Sequence, residues 1–240
     1  MKRWKRPATR VRPPASSALV VCLSEGERRT HTSASAEEHY VKEKQQVELL
    51  LEFFTATKNY CVGIVDMVGS TKITMNLPAD KASRYYSIFL NGLASVVTSF
   101  GAIVVKNIGD SLLYYFPATE QGGPEEFQNV LKCCFAMAAK NDDLDSQLAR
   151  EGLPPVAYRI SCDYGAVIVA KMSTSSVNDV FGTPVNLSAK MNTLALPCGV
   201  VVGQGLYEKV CGFSEYEFAE VEAQVFQDSG YRVYRVTVRR

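Results

Sequence analysis

A long amphipathic helix followed at once by two short β-prone runs is the pattern that most constrains the fold of this chain. From Ala79 to Phe100, apolar residues recur every three or four positions, which is the period of a helix with one buried face. The runs Ala102–Val105 and Leu112–Phe116 then flank a polar segment that contains a glycine, which is typical of a β-hairpin. A helix beside a hairpin favours a mixed fold over an all-helical or an all-β one.

The rest of the chain continues this mixture of helices and short strands. In chain order, the next predictions are a strand over Tyr60–Val65 and a helix over Glu125–Asn141. A hairpin made by Val156–Cys162 and Ala166–Ala170 around Asp163-Tyr164-Gly165 follows, and then a helix from Pro184 to Leu194. Short strand and helix signals continue over Val200–Val202, Gly205–Val210, Tyr216–Val221 and Tyr231–Val238. Because helices are mixed with hairpins and do not alternate strictly with single strands, we expect an α+β sandwich in which helices flank a mostly antiparallel sheet.

Basic residues are concentrated at the N-terminus. Residues 1–35 contain eight Lys or Arg and two acidic residues, so the rest of the chain is acidic although the whole carries a formal charge of +1. We predict a disordered basic tail over residues 1–35, either a solvated extension or a segment that binds an acidic partner. A helix-forming composition predicts a helix over residues 36–57 that leads into a domain at 58–240. The acidic domain argues against nucleic acid as a partner.

Composition places the chain among ordinary globular proteins, with 47% hydrophobic and 21% charged residues. Apolar runs such as Ala18–Leu23 are far shorter than the roughly 20 residues that span a bilayer, so no integral membrane segment is predicted. Seven cysteines without C-x-x-C spacing fit a reducing cytoplasm rather than a zinc or disulfide scaffold. Both histidines, His31 and His39, lie near the N-terminus, so chemistry elsewhere depends on carboxylates, amides, hydroxyls, lysines or metals.

Two aspartates stand at the ends of predicted strands. Asp66 ends the apolar run Tyr60–Val65, and a glycine turn with successive backbone N–H groups, which can hold phosphate oxygens, follows it. Asp110 lies at the tip of the first hairpin, after Gly109. If the two strands are neighbours, the carboxylates converge and form an oxygen site suited to Mg²⁺. The alternative is that both aspartates are only turn residues.

A third polar segment surrounds the start of the helix at Pro184. Asp179 precedes it, and Asn186 and Lys190 lie four residues apart, so that they share one helix face and can contact one ligand. The alternative is that they form the solvated side of an amphipathic helix.

These three segments together resemble the signature segments of class III nucleotidyl cyclase catalytic domains. The segments are Val65–Thr71, Lys106–Asp110 and Asp179–Lys190. Their order and spacing match the family, and the resemblance covers about residues 58–238. It implies the ferredoxin-like α+β fold of that family and synthesis of a 3′,5′-cyclic nucleotide with release of pyrophosphate.

The resemblance also implies a role for each matching residue. Asp66 and Asp110, with the carbonyl of Met67, would hold two Mg²⁺ or Mn²⁺ ions, and the turn of Val68, Gly69, Ser70 and Thr71 would contact the triphosphate. Lys106 and Asp179 would read the base. Asn186 would orient the ribose, and Lys190 would stabilise the transition state.

Base chemistry favours ATP over GTP as the substrate. A lysine can donate to N1 of adenine, and an aspartate can accept from the exocyclic N6 amine. Guanine presents the opposite pattern at these two positions.

Two positions depart from the family pattern, and the first predicts a slower enzyme. The family usually has Arg where Lys190 stands, and Lys keeps the charge but lacks the planar fork. The family often has a lysine in the last hairpin, but residues 223–230 contain none. In the family, each site lies between two catalytic domains: one supplies the metal-binding aspartates, and the other supplies the base-reading pair and the transition-state residues. This chain has both sets, so the resemblance implies a homodimer with two shared sites. The alternative is a cyclase-like domain that binds nucleotide without efficient turnover.

Overall fold

Strand β1 (Leu51–Met67) is the centre of the fold, because its long apolar sequence pairs on both edges. This computed structural model describes residues 51–172, 176–222, 226 and 229–239. For residues 51–56 and 172 it describes the backbone only. On one edge, β1 pairs antiparallel with β3 (Ser111–Phe116), which itself pairs with β2 (Ile103–Ile108). On the other edge it pairs antiparallel with β4 (Tyr158–Met172).

The remaining strands extend the sheet on the far side of β4. They are β5 (Asp179–Phe181), β6 (Val200–Gly203), β7 (Tyr216–Glu220) and β8 (Val233–Val238). Among the described residues the main order is β2-β3-β1-β4-β6-β8-β7, and β5 pairs with β4 beside this path. The β4–β6 pair is parallel, and the other pairs are antiparallel. The expected α+β fold with a mostly antiparallel sheet is confirmed.

Helices lie on both faces of the sheet. They are α1 (Ser70–Thr74), α2 (Ala79–Ser99), α3 (Pro124–Ala139), α4 (Asn141–Arg150), α5 (Thr183–Asn192) and α6 (Gln204–Val210), with a short 3₁₀ turn at Pro117–Glu120. The buried sides of α2, α3, α4 and α6 share one apolar core with one face of the sheet. Helix α5 contacts β1 and β4 on the other face. None of the helices in the described ranges is long and apolar enough to cross a membrane.

Two sequence predictions are wrong where strand pairing overrides local preference. Leu51–Phe54, predicted as helix, belong to β1, because this segment pairs with the distal end of β4. Residues 1–50, which include the predicted tail, lie outside the described residues. The predicted hairpin around Asp163 is instead the continuous strand β4, in which Asp163 pairs with Val62 and its carboxylate accepts a hydrogen bond from Tyr231 Oη at 2.6 Å.

The other predicted elements are confirmed with small shifts at their ends. Helix α2 buries the predicted face, including Tyr85, Phe89 and Leu93. The predicted helix over Glu125–Asn141 ends at Ala139, and α4, which was not predicted, begins directly afterwards. The start of α5 fits closely against β4, because a side chain at Gly165 would lie 3.0 Å from the ring of Pro184.

Gly63 on β1 is a position where core packing excludes any side chain. A Cβ atom there would lie 2.3 Å from the buried ring of Tyr114 on β3, and that ring is fully buried. We therefore expect Gly63→Ala to lower the free energy of unfolding by about 1–3 kcal/mol, as overpacking in a core does. Chemical denaturation measures this. Gly212→Ala, where an added Cβ meets nothing within 4 Å, is the matched control and should change stability by less than about 0.5 kcal/mol. Equal stability of the two variants would contradict the packing argument.

Candidate active site

The two aspartates from the first two segments meet at one end of neighbouring strands. Asp66 lies opposite Ser111 in the β1–β3 register, and the Ser111 hydroxyl donates a hydrogen bond to Asp66 Oδ1. Asp110 directly precedes Ser111 in a tight turn, where Gly109 adopts a positive φ of 63°. The side chain of Asp66 faces away from the helical core, because its neighbours Val65 and Met67 point into that core. The predicted convergence of the two aspartates is therefore present.

The environment of Asp66 favours a bound proton or a bound cation. Partial burial raises the pKa of Asp66, and the negative charge of Asp110 raises it further. The hydrogen bond from Ser111 and the positive charge of Arg159 act in the opposite direction. Arg159 lies opposite Asp66 on β4. Sequence reasoning missed Ser111 and Arg159, because only the register of two separate strand pairs places them beside Asp66.

The turn after β1 offers fewer free amides than the sequence suggested. Met67 is the last residue of β1 and its side chain is buried. The N–H of Val68 donates to the carbonyl of Ala157 at 2.7 Å, so it is not available to a ligand. Gly69 has a positive φ of 70°, and Ser70 and Thr71 begin α1, where the first N–H groups have no partner within the helix. The candidate phosphate-binding amides are thus those of Gly69, Ser70 and Thr71.

The chemistry of this strand end suits a hard divalent cation. Two carboxylates whose charges interact supply oxygen ligands, and Mg²⁺ binds proteins through one or two carboxylates while phosphates and water complete its shell. Within the described ranges, no group of three or more His, Cys, Asp and Glu side chains could hold a metal ion. A cation held by Asp66 and Asp110 would therefore keep positions for substrate oxygens.

A second polar pair lies on the same face of the sheet as Asp66. Lys106 of β2 and Asp179 of β5 form a direct ion pair, although β2 and β5 are not neighbours in the sheet. A bulge between Val104 and Lys106 shifts the β2–β3 register, so that Lys106 lies opposite Leu113, whose side chain is buried on this face. The carboxylate of Asp179 is 6% exposed, and the Lys106 side chain is 43% exposed.

Local contacts hold both members of this pair in place. Asp179 Oδ1 accepts a hydrogen bond from the N–H of Val180 at 2.9 Å. Lys106 Nζ lies 5.8 Å from the centre of the Phe181 ring, within range of a cation–π interaction. The pair combines a donor and an acceptor that are fixed side by side, which is the arrangement that recognises an amide-like or base-like edge.

Helix α5 carries the third set of predicted residues. Asn186 and Lys190 are exposed and share one side of the helix, whereas Ser188 and Asn192 on the opposite side are buried against the sheet. The predicted shared face is therefore present. Residues 223–225 and 227–228 belong to the segment in which the family often has a lysine and this chain has none, and they lie outside the described residues.

The sequence and the fold match one protein family. The family model described as the adenylate and guanylate cyclase catalytic domain matches residues 54–230. The chain belongs to this family. The crystal structure of the adenylyl cyclase CyaB from P. aeruginosa superposes with a TM-score of 0.66 and 18% sequence identity, covering 77% of this chain and 96% of that one. A structural likeness at this identity supports the fold.

Among curated proteins, relatives of this cyclase-family chain differ in the nucleotide they are named for. It is 26% identical over 153 residues to an adenylate cyclase of Streptomyces coelicolor, an alignment that covers 64% of this chain and 34% of the relative. It is also 24% identical over 152 residues to a cytidylate cyclase of Staphylococcus aureus, covering 61% of this chain and 36% of the relative. The chain thus spans about a third of the length of these relatives.

The raised pKa of Asp66 predicts how stability responds to removal of this charge. A carboxyl group whose pKa is raised in the folded protein contributes most to the free energy of unfolding when it is protonated. This contribution is lost as the pH rises through the folded pKa. We therefore expect Asp66→Asn to raise the melting temperature near neutral pH in EDTA, by about 1–2 °C because the site is partly solvated. The gain should shrink as the pH falls through the raised pKa of Asp66, because the wild-type side chain is then protonated as well.

Thermal denaturation followed by circular dichroism measures this difference. Excess Mg²⁺ should reverse its sign, because only the wild-type protein keeps both carboxylates for the cation. A lower melting temperature of Asp66→Asn in EDTA, or no response to Mg²⁺ in the wild type, would contradict the proposed electrostatics.

Proposed function

We propose that this chain is an adenylate cyclase domain that converts ATP to 3′,5′-cyclic AMP and pyrophosphate. The observation that carries the proposal is the presence, in one chain of the cyclase family, of both a converging carboxylate pair and a donor–acceptor pair for a base. The first is Asp66 with Asp110, and the second is Lys106 with Asp179. A domain that had retained only the fold would have no need for either arrangement.

Asp66 and Asp110, assisted by the carbonyl of Met67, would hold the divalent ions, Mg²⁺ or Mn²⁺. When bound, two such ions neutralise triphosphate charge and lower the pKa of the ribose 3′-hydroxyl. Ser111 orients the Asp66 carboxylate through its hydrogen bond, and Arg159 adds positive charge at the same strand end. The amides of Gly69, Ser70 and Thr71 are then available to phosphate oxygens.

In the reaction, the ribose O3′ forms a bond to the α-phosphorus while the bond from that phosphorus to the bridging oxygen of pyrophosphate breaks. The 3′-hydroxyl proton is released to water. The protein's work is mainly positioning and charge stabilisation. Asn186 orients the ribose, and Lys190 places a positive charge near the α-phosphate.

The substitution of Lys190 for the family's arginine predicts a slow enzyme rather than an inactive one. A lysine supplies the charge without the two parallel donors of a guanidinium group. The alternative, a domain that binds nucleotide without turnover, is favoured by this substitution and opposed by the retained carboxylate pair.

The base-reading pair matches the edge of adenine. Lys106 can donate to ring N1, and Asp179 can accept from the N6 amine. Cytosine presents the same pattern through N3 and its N4 amine, whereas guanine presents the reverse. The cytidylate cyclase relative makes CTP the second candidate substrate, and ring size rather than hydrogen bonding would separate the two.

A second copy of the chain would complete each site. Asn186 and Lys190 are exposed on a single chain, and Asp66 and Asp110 are only partly buried. A small-molecule site normally encloses most of its ligand. A head-to-tail homodimer, in which one chain supplies the carboxylates and its partner supplies α5 and the base-reading pair, would enclose the nucleotide at two equivalent positions.

The direct test is turnover of ATP by the purified protein with Mg²⁺ or Mn²⁺, followed as cyclic AMP and pyrophosphate. Asp66→Ala and Asp110→Ala should each lower the rate by on the order of 100-fold or more, because the carboxylates that hold the cations are lost. Asp80→Ala, an exposed carboxylate in the first turn of α2, is the matched control and should leave the rate unchanged. Wild-type turnover in either site variant would refute the metal assignment, and no turnover by the wild type would favour the nucleotide-binding alternative.

Base choice is tested by competition among ATP, CTP and GTP. Lys106→Glu combined with Asp179→Cys should shift the ratio of kcat/KM towards GTP by at least about 10-fold, because an acidic group then faces the N1–H of guanine. Product analysis by mass spectrometry distinguishes the cyclic nucleotides. An unchanged ATP-to-GTP ratio would show that this pair does not read the base.

A further inference from the structure

Helix α5 is attached to the sheet through polar side chains rather than through an apolar stripe alone. Ser161 on β4 and Ser188 on α5 are fully buried, and Asn192 on α5 is 3% exposed. Buried polar side chains are costly unless they form hydrogen bonds, so their contacts report a specific arrangement. No residue of this cluster belongs to the proposed site.

The side-chain amide of Asn192 joins the end of α5 to both central strands. Its Nδ2 lies 3.1 Å from the carbonyl oxygen of Ile64 on β1 and 3.0 Å from that of Arg159 on β4. The same nitrogen lies 3.1 Å from Ser161 Oγ. Ile64 is two residues before Asp66, so the amide contacts the strand close to the carboxylate pair.

Two serine hydroxyls attach the middle of the helix. Ser188 Oγ donates to the carbonyl of Val62 at 3.1 Å, and Ser161 Oγ lies 2.8 Å from the carbonyl of Ser188 and 3.1 Å from that of Ile64. Hydrogen bonds are directional, so bonds to fixed carbonyls define both the position of the helix along its axis and its rotation about that axis. Apolar contact alone would fix neither as strictly.

The opposite side of α5 carries the two predicted catalytic residues. Because Ser188 and Asn192 face the sheet, Asn186 and Lys190 face away from it, and the two pairs move together as parts of one short helix. A shift of the buried side is therefore transmitted to the exposed side.

We propose that Asn192, with Ser188 and Ser161, is a positioning residue that sets the place of Asn186 and Lys190 relative to strand β1. The proposal rests on the proposed function. Asn192 touches no substrate; it acts through the helix. In a head-to-tail dimer, helix α5 and the Asp66–Asp110 pair of one chain belong to different sites. The network that joins α5 to β1 therefore fixes the spacing between the two sites of the dimer.

The informative variant is Asn192→Leu, which keeps the branched side-chain skeleton and removes the hydrogen-bond donor. We expect kcat for ATP to fall by about 10- to 100-fold, because small misplacement of reacting groups is costly, while KM changes less than about 3-fold. Asn91→Leu on the exposed side of α2 makes the same chemical change and should alter neither constant. Ser188→Ala is a milder variant that tests the same network if Asn192→Leu does not fold.

Hydrogen exchange measures the helix without requiring activity. In Asn192→Leu, the amides of residues 183–192 should exchange at least about 10-fold faster than in the wild type, while those of α2 are unchanged. If the wild type has no turnover, the proposed function fails, and this measurement alone decides the positioning inference. Exchange in α5 equal to the wild type, or a uniform increase over the whole domain, would overturn it.

Mixing variants shows which half of the site Asn192 supports. In the proposed dimer, Asn192→Leu chains mixed with Asp66→Ala chains form one intact site and should regain activity, whereas a mixture with Asn186→Ala chains should not. Recovery with Asn186→Ala, or recovery with neither, would overturn the positioning role. Asp66→Ala mixed with Asn186→Ala is the reference pair for recovery.

Discussion

The register of β1 between β3 and β4 is the constraint on which the candidate site depends. This register sets Asp66 opposite Ser111 on one side and opposite Arg159 on the other. Since side chains alternate along a strand, a slip of one residue would turn Asp66 into the helical core and bring Val65 or Met67 to its place. Extensive burial on both faces of β1 specifies the register, so the core packing also fixes the geometry of the site.

Charge and hydrogen bonds organise the face of the sheet that the main helical core does not cover. The ion pair between Lys106 and Asp179 connects two strands that share no backbone pairing, and the polar contacts of Asn192 connect α5 to the two longest strands. Such groups stabilise a fold weakly unless all partners are satisfied, but they define geometry strongly. This is the property that a site built from separate elements requires.

Membership of the cyclase family restricts the chemistry more than it restricts the substrate. Relatives named as an adenylate cyclase and as a cytidylate cyclase each align with more than half of this chain, 64% and 61% of it respectively. One fold therefore accommodates several bases, and discrimination must come from a few side chains in the site. In this chain, Lys106 and Asp179 carry that discrimination in our proposal, with the size of the base as the second determinant.

The sequence by itself predicted most of the elements and, through the resemblance of three segments to the cyclase family, the residues of the candidate site, because apolar periodicity, glycine turns and aspartates at strand ends are local signals. It predicted α2, the hairpin of β2 and β3, and the shared face of Asn186 and Lys190. Only the tertiary structure decided that Leu51–Phe54 form strand, since a long partner strand outweighs helix propensity. It also decided that Asp163 lies within β4, because Tyr231 satisfies its buried carboxylate, and that Arg159 stands beside Asp66, because register between distant strands leaves no trace in local sequence.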